Sequence, residues 1–141
     1  MARRETGPSG TPEWSYETTL AAEPASASRA RAFVTRHLSE HRLLHLVDPV
    51  RLTASELATN ALVHARTRFT LTLTEIDDIV LLSVNDGSPE PAVKAQPDAL
   101  DLSGRGLRIV AMVSMDWGVR LDTDGAKTVW ASFPRDQSQR R

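Results

Sequence analysis

A two-layer α/β sandwich, with a mixed but mostly antiparallel sheet and its helices on one face, is the fold class this 141-residue chain predicts. Three observations carry it. Bulky and polar residues alternate with period two in Trp14-Ser15-Tyr16-Glu17-Thr18-Thr19-Leu20 and again from Phe69 to Thr74. Apolar residues recur at helical spacing in the interval between those runs. One further β-rich run begins at Ile79 and a closing pair at Gly118, so the order reads β-α-α-β-β-connection-α-β-β.

The elements follow from local chemistry. Residues 1–12 are rich in Gly, Pro, Ser and Thr, and 135–141 are polar without apolar residues, so both read as disordered tails around one domain at 13–134. After the first strand, Pro24 and Ser26 open a helix whose apolar stripe runs through Ala30, Phe33, Val34 and Leu38. Asp48 then reads as an N-cap with Pro49 at the first helical position, which predicts a second helix over about 49–65. The strands at 69–74 and 79–85 are joined across Glu75-Ile76-Asp77-Asp78 as an antiparallel hairpin. From Pro89 to Ser103 there are three prolines and no sustained periodicity, the pattern of a long functional connection such as a lid. Gly106 to Val113 reads as a third helix, and 118–122 with 127–133 as a closing hairpin.

Composition narrows the function classes. The formal net charge of −1 comes without a concentrated basic stripe, so neither nucleic acid nor a membrane surface is expected as a partner. There is no cysteine, which removes disulfides, thiolate metal sites and thiol nucleophiles. Arg3 and Arg4 have no apolar run behind them, so no signal peptide is read, and the longest strongly apolar stretch, Ile79 to Val84, is far short of a membrane span. A cytoplasmic protein is the expectation.

The candidate chemistry is spread over three places in order. Glu56 and Asn60 are four residues apart, a step that turns a helix by only about 40° and leaves both side chains on one face about 6 Å apart. Alone, such a pair reads as a solvated helix face. An asparagine oxygen nevertheless suits magnesium, and a carboxylate beside it can take a proton from a hydroxyl. Asp86-Gly87 at the end of an apolar strand is a turn on the bland reading. In the other, Asp86 accepts from an exocyclic amine, the group by which adenine differs from guanine, and Gly87 lets the backbone approach the ring. Gly104-Arg105-Gly106-Leu107 opens the third helix, where free amides and the positive dipole end face phosphates, with Arg105 adding charge; the plain alternative is a flexible helix start. His64, one turn past Asn60, reads first as a satisfied, partly buried histidine. Trp14, Trp117 and Trp130 read as core residues or as contacts of a homodimer.

Taken in order, these motifs resemble the gyrase, heat-shock chaperone, histidine-kinase and mismatch-repair (GHKL) ATPase superfamily. Within it the chain is most similar to the small stand-alone anti-sigma-factor serine kinases, through Asn60-Ala61-Leu62-Val63-His64-Ala65, Gly104-Arg105-Gly106-Leu107, Trp117-Gly118-Val119 and Lys127-Thr128-Val129-Trp130. The resemblance covers nearly all of 13–134. It implies the histidine-kinase-type ATPase fold, ATP bound with Mg2+, Asn60 on the metal, Glu56 as general base, Asp86 with Gly87 at the adenine, Gly104, Arg105, Gly106 and Leu107 at the phosphates, and Thr128 near the base. It further implies a sigma factor and an anti-anti-sigma factor as protein partners, the latter phosphorylated on serine or threonine. One departure stands out: the family pattern Asp-x-Gly-x-Gly is here Asp86-Gly87-Ser88-Pro89, with glycine missing where the family has it. The expectation is therefore an ATP-dependent serine/threonine kinase with anti-sigma activity. The alternatives are an ATP-dependent partner-binding switch with little transfer and a partner-binding domain that needs no nucleotide.

Overall fold

The computed structural model describes residues 10–86, 105–122 and 125–136. Its elements are β1 (Trp14–Leu20), α1 (Ala25–Glu40), a 3-10 turn (Leu44–Leu46), α2 (Val47–Asn60), a π-helical turn (Ala61–Ala65), β2 (Phe69–Ile76), β3 (Ile79–Asn85), α3 (Arg105–Val113), β4 (Asp116–Leu121) and β5 (Lys127–Pro134). The connection expected at 89–103 lies outside the described residues, as do most of both expected tails.

The five strands form one sheet in the order β1-β2-β3-β5-β4. Each of its four ladders is antiparallel, in line with the mostly antiparallel sheet expected. The cause is the insertion of β5. The chain crosses from β3 to β4 through α3, which makes these two strands parallel in direction, but β5 folds back between them and pairs with both.

Alternation decides the two faces of the sheet. Phe69, Leu71 and Leu73 of β2, Val80, Leu82 and Val84 of β3, and Val129, Ala131 and Phe133 of β5 turn inward to one core. Ala30, Val34 and Leu38 of α1, Val50, Ala54 and Leu57 of α2, and Leu107 and Val110 of α3 close it from the helix side. On the outer face the strands pair through hydroxyls, Ser15 Oγ with Thr74 Oγ1 at 2.8 Å and Thr19 Oγ1 with Thr70 Oγ1 at 3.0 Å. Trp130 stands opposite Gly118 there, so an indole covers a strand position that has no side chain.

Local chemistry fixes the connections. Helix α1 ends where Arg42 takes a left-handed conformation (φ 61°), with Leu43 N–H donating to Leu38 O at 2.8 Å. The β2–β3 turn is tighter than expected: only Asp77 and Asp78 lie between the strands, both with positive φ (52° and 64°), a conformation that Asp tolerates and that matches strand twist. Helix α2 begins at Val47, so Asp48 lies in its first turn and is not its N-cap. The 3-10 turn runs straight into the helix, and Pro49 is accommodated because the first-turn amides lack intrahelical partners in any case. Beside β1, His41 stacks on Trp14 (centroids 4.2 Å apart) and hydrogen-bonds Tyr16 Oη at 2.8 Å. No helix among the described residues is long and apolar enough to cross a membrane.

Candidate functional site

Helix α2 lies at the centre of the helix layer, packed between α1 and α3 and resting on β3 and β5. Val50, Thr53, Ala54, Leu57, Ala58 and Asn60 form its buried side. Asn60 is thus a core-facing residue, 7% exposed, and Glu56 is half-buried, which sets aside the solvated-face reading of the pair. Asn60 Nδ2 is buried and has no hydrogen-bond partner among the described residues. A buried amide left in that state costs about 1–3 kcal/mol, which an apolar residue at the same position would avoid. Directly after Asn60 the helix widens into the π-helical turn, ended by Arg66 in a left-handed conformation (φ 60°) with its N–H donating to Ala61 O at 3.0 Å. Such widened turns recur at functional sites. His64 falls within this turn.

At the end of β3 the sheet presents an acid and a base together. Asp86 is 4% exposed. Its N–H donates to Lys127 O at 3.0 Å, the Lys127 N–H donates back to Asp86 Oδ1 at 3.2 Å, and Thr67 Oγ1 donates to Asp86 O at 2.6 Å. The Lys127 ammonium stands 3.9 Å from Asp86 Oδ2. Burial pulls that ammonium below the usual lysine range, while the Asp86 charge opposes the shift. Counted from Val129, Ala131 and Phe133, Lys127 occupies the helix-covered side of β5.

Thr128, expected near the base, leaves the opposite face. It pairs across the ladder with Asn85, whose Nδ2 donates to Thr128 Oγ1 at 2.7 Å, and Arg120 Nη2 reaches the same oxygen at 3.4 Å. The structure brings Lys127, to which sequence reasoning gave no role, next to Asp86. The signal was present: strand alternation backward from the apolar Val129 and Ala131 turns Lys127 inward.

The third part of the expected site is described in part. Arg105 and Gly106 are the first two residues of α3, and Leu107 is buried in the core, fixing the helix against α2. The helix start is thus one residue earlier than expected. Gly87 and Gly104 lie outside the described residues.

Magnesium fits this donor set in one way only. Among the described residues no group of three or more His, Cys, Asp or Glu stands together to form a metal cage. The side-chain oxygen of buried Asn60 offers one ligand, which suits an ion that keeps most of its shell from water and phosphate oxygens.

Among known protein families, the model of the histidine kinase-like ATPase domain matches residues 20–133. The matched region holds Glu56, Asn60, Asp86 and Lys127. No curated protein matches the chain.

Proposed function

Since the chain belongs to the histidine kinase-like ATPase domain family, an ATP-binding family, we propose that it is a regulatory serine/threonine kinase with anti-sigma-factor activity that phosphorylates an anti-anti-sigma partner with Mg-ATP. The observation that carries this reading is the placement on α2, one helical turn apart, of a half-buried carboxylate, Glu56, and a buried amide, Asn60. Asn60 would hold the magnesium, which supplies charge neutralisation at the β- and γ-phosphates. Glu56 takes the proton of an incoming serine or threonine hydroxyl as its oxygen bonds to the γ-phosphorus and the bond to ADP breaks. Asp86, buried on the inner side of the sheet, accepts from the adenine amine, and the start of α3 lends its free amides to the phosphates.

The sigma factor and the anti-anti-sigma factor as partners rest on the sequence resemblance. The test is incubation with γ-labelled ATP, magnesium and candidate anti-anti-sigma proteins. Label on a serine or threonine of one of them supports the kinase. ATP-dependent capture of a sigma factor without any label on a partner replaces it with a nucleotide-controlled switch.

A further inference from the structure

Lys127 has no task in the resemblance, yet its ammonium stands beside Asp86. Its side chain is 12% exposed, and Asp86 is the only carboxylate within ion-pair range of it among the described residues. At 3.9 Å that contact is Coulombic and is not a hydrogen bond, so the three ammonium hydrogens are not spent on Asp86. The backbone does the other half of the work: Lys127 N–H on Asp86 Oδ1 at 3.2 Å holds the carboxylate still. Among the described residues, therefore, a held carboxylate and an ammonium that is not hydrogen-bonded to it stand side by side on the inner face of the sheet.

We propose that Lys127 reads the nucleobase, donating from Nζ to adenine N1 while Asp86 accepts from the exocyclic amine. The inference rests on the assignment of Asp86 to the adenine amine made above. Adenine offers a donor and an acceptor in adjacent positions on that edge, the complement of the Asp86–Lys127 pair. Guanine offers an acceptor where adenine has its amine and an N–H where adenine has its bare nitrogen, so both contacts turn repulsive at once. The lysine costs something to bury, which is consistent with its lowered affinity for protons, and a ligand acceptor satisfies it.

The test compares Mg-ATP with Mg-1-deaza-ATP, in which N1 is a carbon, by isothermal titration against the whole chain and its Lys127→Met variant. The parent should bind the deaza nucleotide about 10-fold more weakly, the loss of one charge-assisted hydrogen bond. Lys127→Met should bind ATP about as weakly as the parent binds the deaza analogue, and should no longer tell the two apart. Equal affinity of the parent for both nucleotides overturns the role of Lys127 and leaves the ATP site standing. A variant that still prefers ATP by the parental factor overturns it as well. If the parent binds neither nucleotide, the ATP-site reading falls together with it. The parental comparison needs no substitution, so a variant that misfolds still leaves the proposal open to refutation.

Discussion

Asn85 and Thr128 face each other across the β3–β5 ladder, with Asn85 Nδ2 donating to Thr128 Oγ1 at 2.7 Å on the outer side of the sheet. This pair sets the direction of its neighbours. Because side chains alternate along a strand, the next pair in register, Asp86 with Lys127, turns to the side covered by the helices. The outer pair is a clasp and the inner pair is the one proposed to face the nucleobase.

Thr128→Val should therefore lower stability by about 0.5–1.5 kcal/mol, the worth of an ordinary hydrogen bond, while shifting the ATP dissociation constant less than about threefold. Urea unfolding and nucleotide titration on one preparation measure both. A tenfold loss of ATP affinity at unchanged stability would put Thr128 at the base after all.

Asp86→Ala should weaken ATP binding by roughly 10- to 100-fold, because one buried polar contact is worth about 1–3 kcal/mol. GTP should already bind the parent poorly. An unchanged ATP dissociation constant in the variant, with its circular dichroism spectrum intact, would remove Asp86 from the adenine.

Asn60→Ala trades function against stability. Without nucleotide the variant should be as stable as the parent or more so, since the orphaned amide disappears from a buried position. ATP binding and phosphoryl transfer should fall together, and extra magnesium should recover part of both. Thermal unfolding with and without Mg-ATP tests this directly: the parent should gain a shift that the variant lacks. A variant that unfolds well below the parent in the absence of ligand would make Asn60 a structural residue.

The hydrogen bond from Arg36, joined by one from His37, holds the exposed Glu40 carboxylate below its ordinary value of 4.5. A carboxylate lowered in the folded state binds fewer protons there than in the unfolded chain, so its stabilisation is fully present above 4.5 and is lost as pH falls through the lower folded value. Glu40→Gln should flatten this acid limb of the stability curve while leaving its neutral slope alone. Being fully exposed, the pair should contribute only a small part of the total acid loss. Urea midpoints of both proteins across the acid range provide the check, and identical acid limbs would contradict it.

Much of this architecture was legible because the signals were local. Alternation in Trp14–Leu20 and the apolar run Ile79–Asn85 set β1 and β3 residue for residue. The beginning of α2 was displaced because Asp48-Pro49 is equally at home inside a first turn, and the preceding 3-10 turn is set by tertiary packing of Leu46. The burial of Asn60 was not readable from spacing, since it depends on which side of α2 meets the sheet and α3. The inward turn of Lys127 was readable, but a lysine at the start of a strand is ordinarily taken as a solvated end.

The central claim is that Glu56 acts on the attacking hydroxyl at a site that binds ATP through other residues. The most direct measurement is single-turnover transfer of labelled phosphate from Mg-ATP to an anti-anti-sigma partner, by the parent and by Glu56→Ala, with the ATP dissociation constant of each taken alongside. The expected result is a dissociation constant within a few-fold of the parent and a transfer rate lower by about 10²- to 10⁴-fold, because a general base contributes to the transition state and little to ground-state binding. Transfer by Glu56→Ala at the parental rate would contradict it.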